Sequence, residues 1–412
     1  MLGTGAIVAS AVPPARGQST DVAATDSSSM KHIGKVHDRL RAAQAREAPS
    51  LPEEITDIYS QYVKAKDKLQ KATNLQYSLD VSAMFQWGSP KAGPPAGQSL
   101  FSPSVNWDFL KNSALGSGSL QFAYYLPWYM TGQNALELQS KLNLITPIND
   151  FPTNGSTFTQ LTFAYTLPRN WLSLVVGQFP ISNFDTNQYA NNQQINFISY
   201  PLAQNGSSTY PVASLGAYTQ INPTKEVSFA AGFQDANNII GKTIQFNSFG
   251  DGQYTGFVYG QWNPQFKGLR SSQFSFLYYR SQSVPEQTST SGWSFNGVQN
   301  LTDKWGLFIR ANGASGYTTP IKTSIAGGGV LNNPLHRNPL DQIGFGIAWD
   351  QAARPPTNPA NARDEWVMET YWAWTFFRGL QINPDVQFYL HPALNPGQSS
   401  AWVFSLRSLI LF

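Results

Sequence analysis

Cysteine is absent from the 412 residues, which excludes a disulfide scaffold, thiolate chemistry and cysteine-ligated metal and is compatible with an exported protein. Charge is scarce as well. Asp, Glu, Lys and Arg make up 12% of the chain, about half of the roughly 25% usual in soluble domains, and a formal net charge of +3 is too small and too scattered to attract nucleic acid. No run of about 18 apolar residues exists, so a transmembrane helix is ruled out. Histidine occurs four times, at His32, His37, His336 and His391, none of them in a catalytic motif. No metal-ligand spacing, phosphate-cradling glycine loop or nucleotide fingerprint accompanies them, so neither an enzyme nor a cofactor is expected. What the chain does have is rings: aromatics reach 14%, with 18 Tyr and 12 Trp among 33 Gly.

Three regions differ in character. Residues 1–30 hold a short apolar piece, Leu2 to Val12, and a polar piece, Gln18 to Met30. Ala15-Arg16-Gly17 has the small-x-small form of a signal-peptidase site without the basic start, which fits the remnant of an export signal and equally fits a disordered tail. Residues 31–73 concentrate Lys and Arg and read as helix: Ser50-Leu51-Pro52-Glu53-Glu54 supplies a cap, and Ile55, Ile58, Tyr62 and Leu69 recur at helical spacing. So narrow an apolar stripe suits packing against one partner or a short coiled coil, or else a solvated spacer.

Residues 74–412 switch to period two. Leu75, Tyr77, Leu79, Val81, Ala83, Phe85 and Trp87 alternate with Gln76, Ser78, Asp80, Ser82, Met84 and Gln86, a strand with one apolar and one wet side. The last segment repeats this with Trp402, Phe404, Leu406, Ile410 and Phe412 on one face and Arg407 on the other. Between them the pattern predicts strands at about 101–111, 118–128, 157–167, 171–180, 211–221, 226–234, 252–262, 268–280, 290–299, 304–312, 319–331, 342–350, 365–377 and 380–390. Connections at Pro168-Arg169-Asn170, Asn222-Pro223-Thr224-Lys225, Asn300-Leu301-Thr302-Asp303 and Arg378-Gly379 are tight, whereas 181–210, 235–251 and 351–364 are long. One end therefore carries turns and the other loops, which requires an even number of spans. Parity assigns Asn134 to Ile145 to a loop, as a helix or folded-in hairpin, and keeps the Gly-rich 319–331 as a strand, for a total of sixteen.

Sixteen amphipathic strands stacked as sandwiches in water would show outer faces rich in Lys and Glu. Here both faces are poor in charge, and Trp171, Trp262, Trp293, Trp305, Trp349, Trp366, Trp372 and Trp374 fall near strand ends, as in the aromatic girdles of a membrane barrel. A sheet crosses a bilayer only when closed on itself, because lipid offers no partner for free backbone groups. The expected fold is therefore an all-β, 16-stranded antiparallel transmembrane barrel with a short N-terminal helical extension. A barrel of this width leaves an aqueous channel. Its lining comes from the polar faces: Gln76, Asp80, Arg310, Glu369 and Tyr371, then Gln381, Asn383, Asp385, Gln387, Tyr389 and Arg407. Acid, amide, ring and Arg groups suit sugar hydroxyls and C–H faces, and any water-filled pore also has a polar lining. The loop from Phe179 to Tyr210 is rich in amides, with Asn183, Phe184, Asp185 and Tyr189 placed to narrow the channel if it folds inward, although outer loops are polar in general.

The C-terminal third resembles the OprB-like, carbohydrate-selective porin family of Gram-negative outer membranes. The residues that carry the resemblance are Asp341-Gln342-Ile343-Gly344-Phe345-Gly346-Ile347-Ala348-Trp349, Met368-Glu369-Thr370-Tyr371-Trp372, the run from Leu380 to Pro392, and Trp402-Val403-Phe404-Ser405-Leu406-Arg407. Gly177-Gln178-Phe179 with Asn183-Phe184-Asp185 resembles a middle motif. The resemblance implies a sixteen-stranded barrel in the outer membrane, in contact with lipid and lipopolysaccharide, that passes small sugars. It also implies lumen positions for Glu369, Asp385, Gln387 and Arg407, and terminal Phe412 resembles the signal read by the barrel insertion machinery. A general or other-solute channel, such as one for siderophores, and a barrel anchor displaying the helix of 31–73 are the competing readings. A homo-oligomer is compatible with all three.

Overall fold

The computed structural model describes residues 57–90, 92–112, 114–185, 187–190, 193–245, 249–316, 319–338, 340–377 and 380–411. Residues 1–56, where an export-signal remnant and the start of the helix are expected, Asn191 and Asn192, Arg378-Gly379, where a tight turn is expected, and Phe412 lie outside them. The described chain opens with helix α1 (Asp57–Thr73), which leads directly into the first strand.

Sixteen strands follow: β1 (Leu75–Ser89), β2 (Ala96–Asn112), β3 (Gly116–Tyr129), β4 (Thr157–Thr166), β5 (Leu172–Phe179), β6 (Ser214–Ile221), β7 (Val227–Asp235) and β8 (Tyr254–Trp262), then β9 (Ser272–Ser281), β10 (Thr290–Asn300), β11 (Trp305–Ala314), β12 (Ile321–Asn332), β13 (Gln342–Ala352), β14 (Glu365–Phe377), β15 (Leu380–Leu390) and β16 (Ser400–Leu411). Each pairs antiparallel with its neighbours in sequence, and β1 pairs with β16 from Asp80↔Leu411 to Ser89↔Trp402, so the sheet is a closed barrel. No helix among the described residues is long and apolar enough to cross a membrane; a strand needs only about 9–11 tilted residues to do so.

The burial pattern is that of a soluble sheet turned inside out. In β1, Ser78, Asp80, Ser82 and Gln86 are buried inside the barrel while Phe85 and Trp87 are exposed. In β16, Ser405 and Arg407 face inward while Trp402, Phe404, Leu406 and Ile410 face outward. An exposed apolar band of this extent is stable only where the surroundings are apolar too. The tryptophans mark its rims. Trp87, Trp128, Trp293, Trp349, Trp366 and Trp402 lie toward the loop ends of their strands, and Trp107, Trp171, Trp262, Trp305, Trp372 and Trp374 toward the turn ends. Stacked pairs reinforce both rims, Trp402 with Phe404 and Trp372 with Trp374 at 5.4 Å.

Two strand ends depart from expectation. β2 begins at Ala96 rather than 101, because Ala96-Gly97-Gln98-Ser99 has no apolar alternation yet still pairs with β1, Gln86 opposite Ala96. β9 begins at Ser272 rather than 268, because Gly268 adopts φ +81° in a turn. The segment assigned by parity to a loop is one: it carries helix α2 (Ala135–Lys141), started by a reciprocal cap in which the Asn134 side chain accepts from the Glu137 N–H and the Glu137 carboxylate from the Asn134 N–H, both at 2.9 Å.

Candidate functional site

The barrel interior is occupied by two loops, residues 130–156 between β3 and β4 and residues 180–213 between β5 and β6. Apolar side chains in them bury against the wall. Leu138, Leu142 and Leu144 join Val367, Tyr389 and Val403 in one cluster, which also takes in Phe197, Leu202 and Tyr189. Phe184 packs in a second cluster with Tyr218, Phe257 and Tyr259, ring centroids 4.7–5.3 Å apart. The lining is therefore not uniformly polar. Glycines in the wall make room for these rings: a Cβ on Gly306 would lie 2.3 Å from the Tyr189 ring, and one on Gly344 would lie 2.2 Å from Tyr371.

The inward-facing charges predicted from the sequence hold the second loop. Arg310 is fully buried and donates to the Ala190 carbonyl at 2.6 Å and to Asn296 Oδ1 at 2.8 Å. Glu369 accepts from the backbone N–H groups of Ile198 at 2.5 Å and Ser199 at 2.9 Å, at the entry to the short helix α3 (Tyr200–Ala203). Arg407 donates to the Asn196 carbonyl at 3.0 Å, and Asn383 lies beside its guanidinium, with the amide oriented to accept at 2.6 and 3.1 Å. Asn196 also reaches Gln342, the partner of the Tyr371 hydroxyl at 2.5 Å. Gln387 donates to the Ile148 carbonyl of the first loop at 3.2 Å and accepts from Tyr389 at 2.6 Å.

Of the predicted residues, the structure brings Glu369, Tyr371, Asn383, Asp385 and Arg407 together on β14 to β16 around Asn196–Ser199. It does not join them to Arg310, which stands three strands from β14 on β11, nor to Asp80 and Gln381, which face inward nearer the turn end. Asp80 accepts from Ser78. Asp185 is a hub, accepting from Ser294 at 2.6 Å, Asn296 and Asn205 at 2.8 Å and Tyr210 at 3.2 Å. Tyr189 bonds Asn300, and Asn183 donates to Gln160 at 3.2 Å.

Sequence reasoning missed where the open space remains. A cavity of about 140 Å³ lies between the β3–β4 wall and the two loops, bordered by Asn183 together with Asp150, Gln160, Gln194, Tyr200, Gln204 and Tyr210. Its edge is where the loops interlock: Gln204 donates to Asp150 Oδ2 and the Asp150 N–H to Gln193 Oε1, both at 2.6 Å, and the Tyr200 N–H reaches the Pro147 carbonyl at 3.1 Å. Burial pushes the Tyr200 hydroxyl up to about 12, and Asp150 and Asp185 push it the same way. Nothing in period-two patterning marks Asp150, because it sits in irregular chain.

A family model described as carbohydrate-selective porin, OprB family, matches residues 251–412. Porin AaxA of Chlamydia abortus is 36% identical over 355 residues, covering 84% of this chain and 79% of its own. Porin AaxA of Chlamydia felis is 36% identical over 357 residues, covering 84% and 80%. Among solved structures, the high-pH structure of Pseudomonas putida OprB shares the fold with a TM-score of 0.70 at 16% identity, covering 85% of this chain and 97% of that one.

Proposed function

The chain belongs to the OprB family of carbohydrate-selective porins and is an outer-membrane porin; from that premise we propose that it gives passive, carbohydrate-selective passage to small sugars through the space left beside its two infolded loops. The observation that carries the reading is the cavity itself, where a carboxylate, four amides and three phenol rings meet between the barrel wall and the infolded loops. Carboxylate and amide oxygens accept from sugar hydroxyls, amide N–H groups donate to them, and rings lie against C–H faces. Glu369, Arg407 and Arg310 serve this path indirectly by fixing the second loop, and Gln387 by bonding the first; Asp385 faces the lumen on the same strands.

The remaining assignments belong to the same proposal. Helix α1 ends a periplasmic extension formed by residues 31–73; it is held at the turn end by Trp107 Nε1 donating to the Thr73 carbonyl at 3.1 Å and by Lys66 5.0 Å from the Tyr77 ring. Residues 1–30 are the remnant of the export signal, Phe412 is the mark read by the insertion machinery, and the outward band meets lipid and lipopolysaccharide. A homo-oligomer of the barrel is compatible with the same reading.

Planar-bilayer recordings of the purified chain with a panel of mono- and disaccharides test the central point. Sugar-dependent reduction of ion current, together with swelling of protein-loaded liposomes in the same sugars, is expected. Current that every sugar leaves unchanged would favour a general diffusion pore if the liposomes still swell, and with no swelling would defeat sugar passage altogether.

A further inference from the structure

Helix α1 presents three faces, and only one of them meets the barrel. Tyr62, Lys66 and Gln70 fall on that side, Lys66 buried and the other two half-buried. Lys64, Lys68 and Lys71 share a second side, with Asp67 next to them, and all four are exposed. A third strip, Ala65, Leu69 and Ala72, lies between these two; it is apolar and also exposed, Leu69 at 40%.

The helix lies against the outside of the wall. Ser78 and Asp80 face inward, so Tyr77 faces outward, as does Trp107, the partner of Leu75. The chain turns at Asn74, φ +57°, where the N–H closes the helix on the Gln70 carbonyl at 2.8 Å and the side chain accepts from Lys111 at 3.0 Å. Beyond the turn, Lys66 comes 5.0 Å from the Tyr77 ring. Were α1 to continue β1 in a straight line, the backbones of Lys66 and Tyr77 would stand about 22 Å apart, too far for their side chains to meet. The helix therefore folds back beside the rim, next to the outward apolar band.

We propose that α1 is an interfacial anchor: Ala65, Leu69 and Ala72 rest on the phospholipid leaflet that borders the turn end, while Lys64, Lys68 and Lys71 reach its headgroup phosphates. The proposal rests on the outward band meeting lipid and is independent of what passes through the barrel. Position and charge both favour a lipid surface over a second copy of the chain. Lys stems lie along an apolar surface while their ammonium groups reach anionic headgroups, whereas a second α1 would bring like charges together. A pair of helices also needs an apolar side chain at each core position of the repeat, and Tyr62, the position before Ala65, is taken up at the barrel, with Lys66 5.8 Å from its ring.

Because the chain has no cysteine, single nitroxide labels can be placed in the full-length protein, reconstituted in vesicles of phosphatidylethanolamine and phosphatidylglycerol. Collisions with oxygen, which concentrates in lipid, and with a nickel chelate, which stays in water, then report the surroundings of each label. Ala65→Cys and Leu69→Cys should give an oxygen-to-nickel ratio severalfold above that of Lys64→Cys and Lys68→Cys, approaching that of Ile309→Cys on the outward band. Leu69→Asp, introduced into the Ala65→Cys chain, should bring its ratio down to the lysine level. Leaving out phosphatidylglycerol should lower the ratio at Leu69→Cys and not at Ile309→Cys; a ratio indifferent to it overturns the part given to the lysines. Equal ratios at the strip and the lysine positions overturn the anchor in favour of a solvated spacer. Strip labels shielded from both reagents, with spectra broadened by coupling between chains, overturn it in favour of a second copy. A low ratio at Ile309→Cys would strike the lipid reading of the band, and the anchor with it.

Discussion

Removing Arg310 should loosen the 180–213 loop without unmaking the barrel. In Arg310→Ala two short charge-assisted bonds disappear, those to the Ala190 carbonyl and to Asn296. The contact to the Asp185 carbonyl, at 3.5 Å, is too long to count for much. Hydrogen bonds to a charged partner are each worth about 1.5–3 kcal/mol net of water, so the docked state of this part of the loop loses about 3 kcal/mol or more. That is roughly a hundredfold in the ratio of docked to lifted loop. Glu369, Arg407 and the Phe184 and Phe197 contacts remain, so the loop stays docked most of the time but lifts far more often. The strand ladder is untouched, and the melting temperature of the barrel should change little. Single-channel recording should show excess current noise with brief openings to a higher conductance, and limited proteolysis should nick the loop faster. Arg310→Lys should fall between, since an ammonium cannot reach both acceptors as the guanidinium fork does. A variant with the wild-type noise, conductance and protease resistance would refute the idea that this residue latches the loop.

Other outcomes follow from the same geometry. Replacing residues 186–206 by a short Gly-Ser linker should raise conductance severalfold and weaken block by sugars, read in the same bilayer recordings. Gly306→Ala places a methyl carbon 2.3 Å from the Tyr189 ring, so it should cost about 1–3 kcal/mol and shift the near-UV circular dichroism of the loop aromatics. Ile309→Arg puts a charge on the outward face, where Ile309 is 48% exposed; folding into vesicles should weaken by about 2–4 kcal/mol by urea titration if that face meets hydrocarbon. Because the Tyr200 hydroxyl is held up at about 12 by burial, above its ordinary value near 10, the docked loop binds that proton more tightly than the lifted one. Loop docking should therefore be intact below about pH 10 and weaken as pH rises toward 12, and Tyr200→Phe should lose this part of the pH dependence of protease resistance.

Much of the architecture was legible because a barrel wall is a local object. Each strand of this wall shows one face to apolar surroundings and one to the interior, so Leu75 to Trp87 and Trp402 to Ile410 display their orientation residue by residue, and parity of turns and loops fixes the number of spans. The weakly patterned Ile321–Asn332 was recoverable only through that parity. The misplaced starts of β2 and β9 lie where Gly and Ser carry no hydrophobic signal, and backbone pairing alone decides where a strand begins.

The interior obeyed a different rule. Period two said that Glu369, Asp385, Arg310 and Arg407 face inward, and they do, but it said nothing about what they would meet. The lumen is filled by irregular chain whose fit depends on contacts more than a hundred residues apart, such as Arg310 with Ala190 and Glu369 with Ile198. Residues that alternation places along the lumen also bond the infolded loops, and the cavity beside those loops is bordered by Asp150, Tyr200 and Gln204, which no alternation distinguishes. Sequence alone determined the wall, since polarity and hydrogen bonding constrain every strand separately. Only the tertiary structure decided the passage, since an empty space is defined by the surfaces around it and belongs to no single segment.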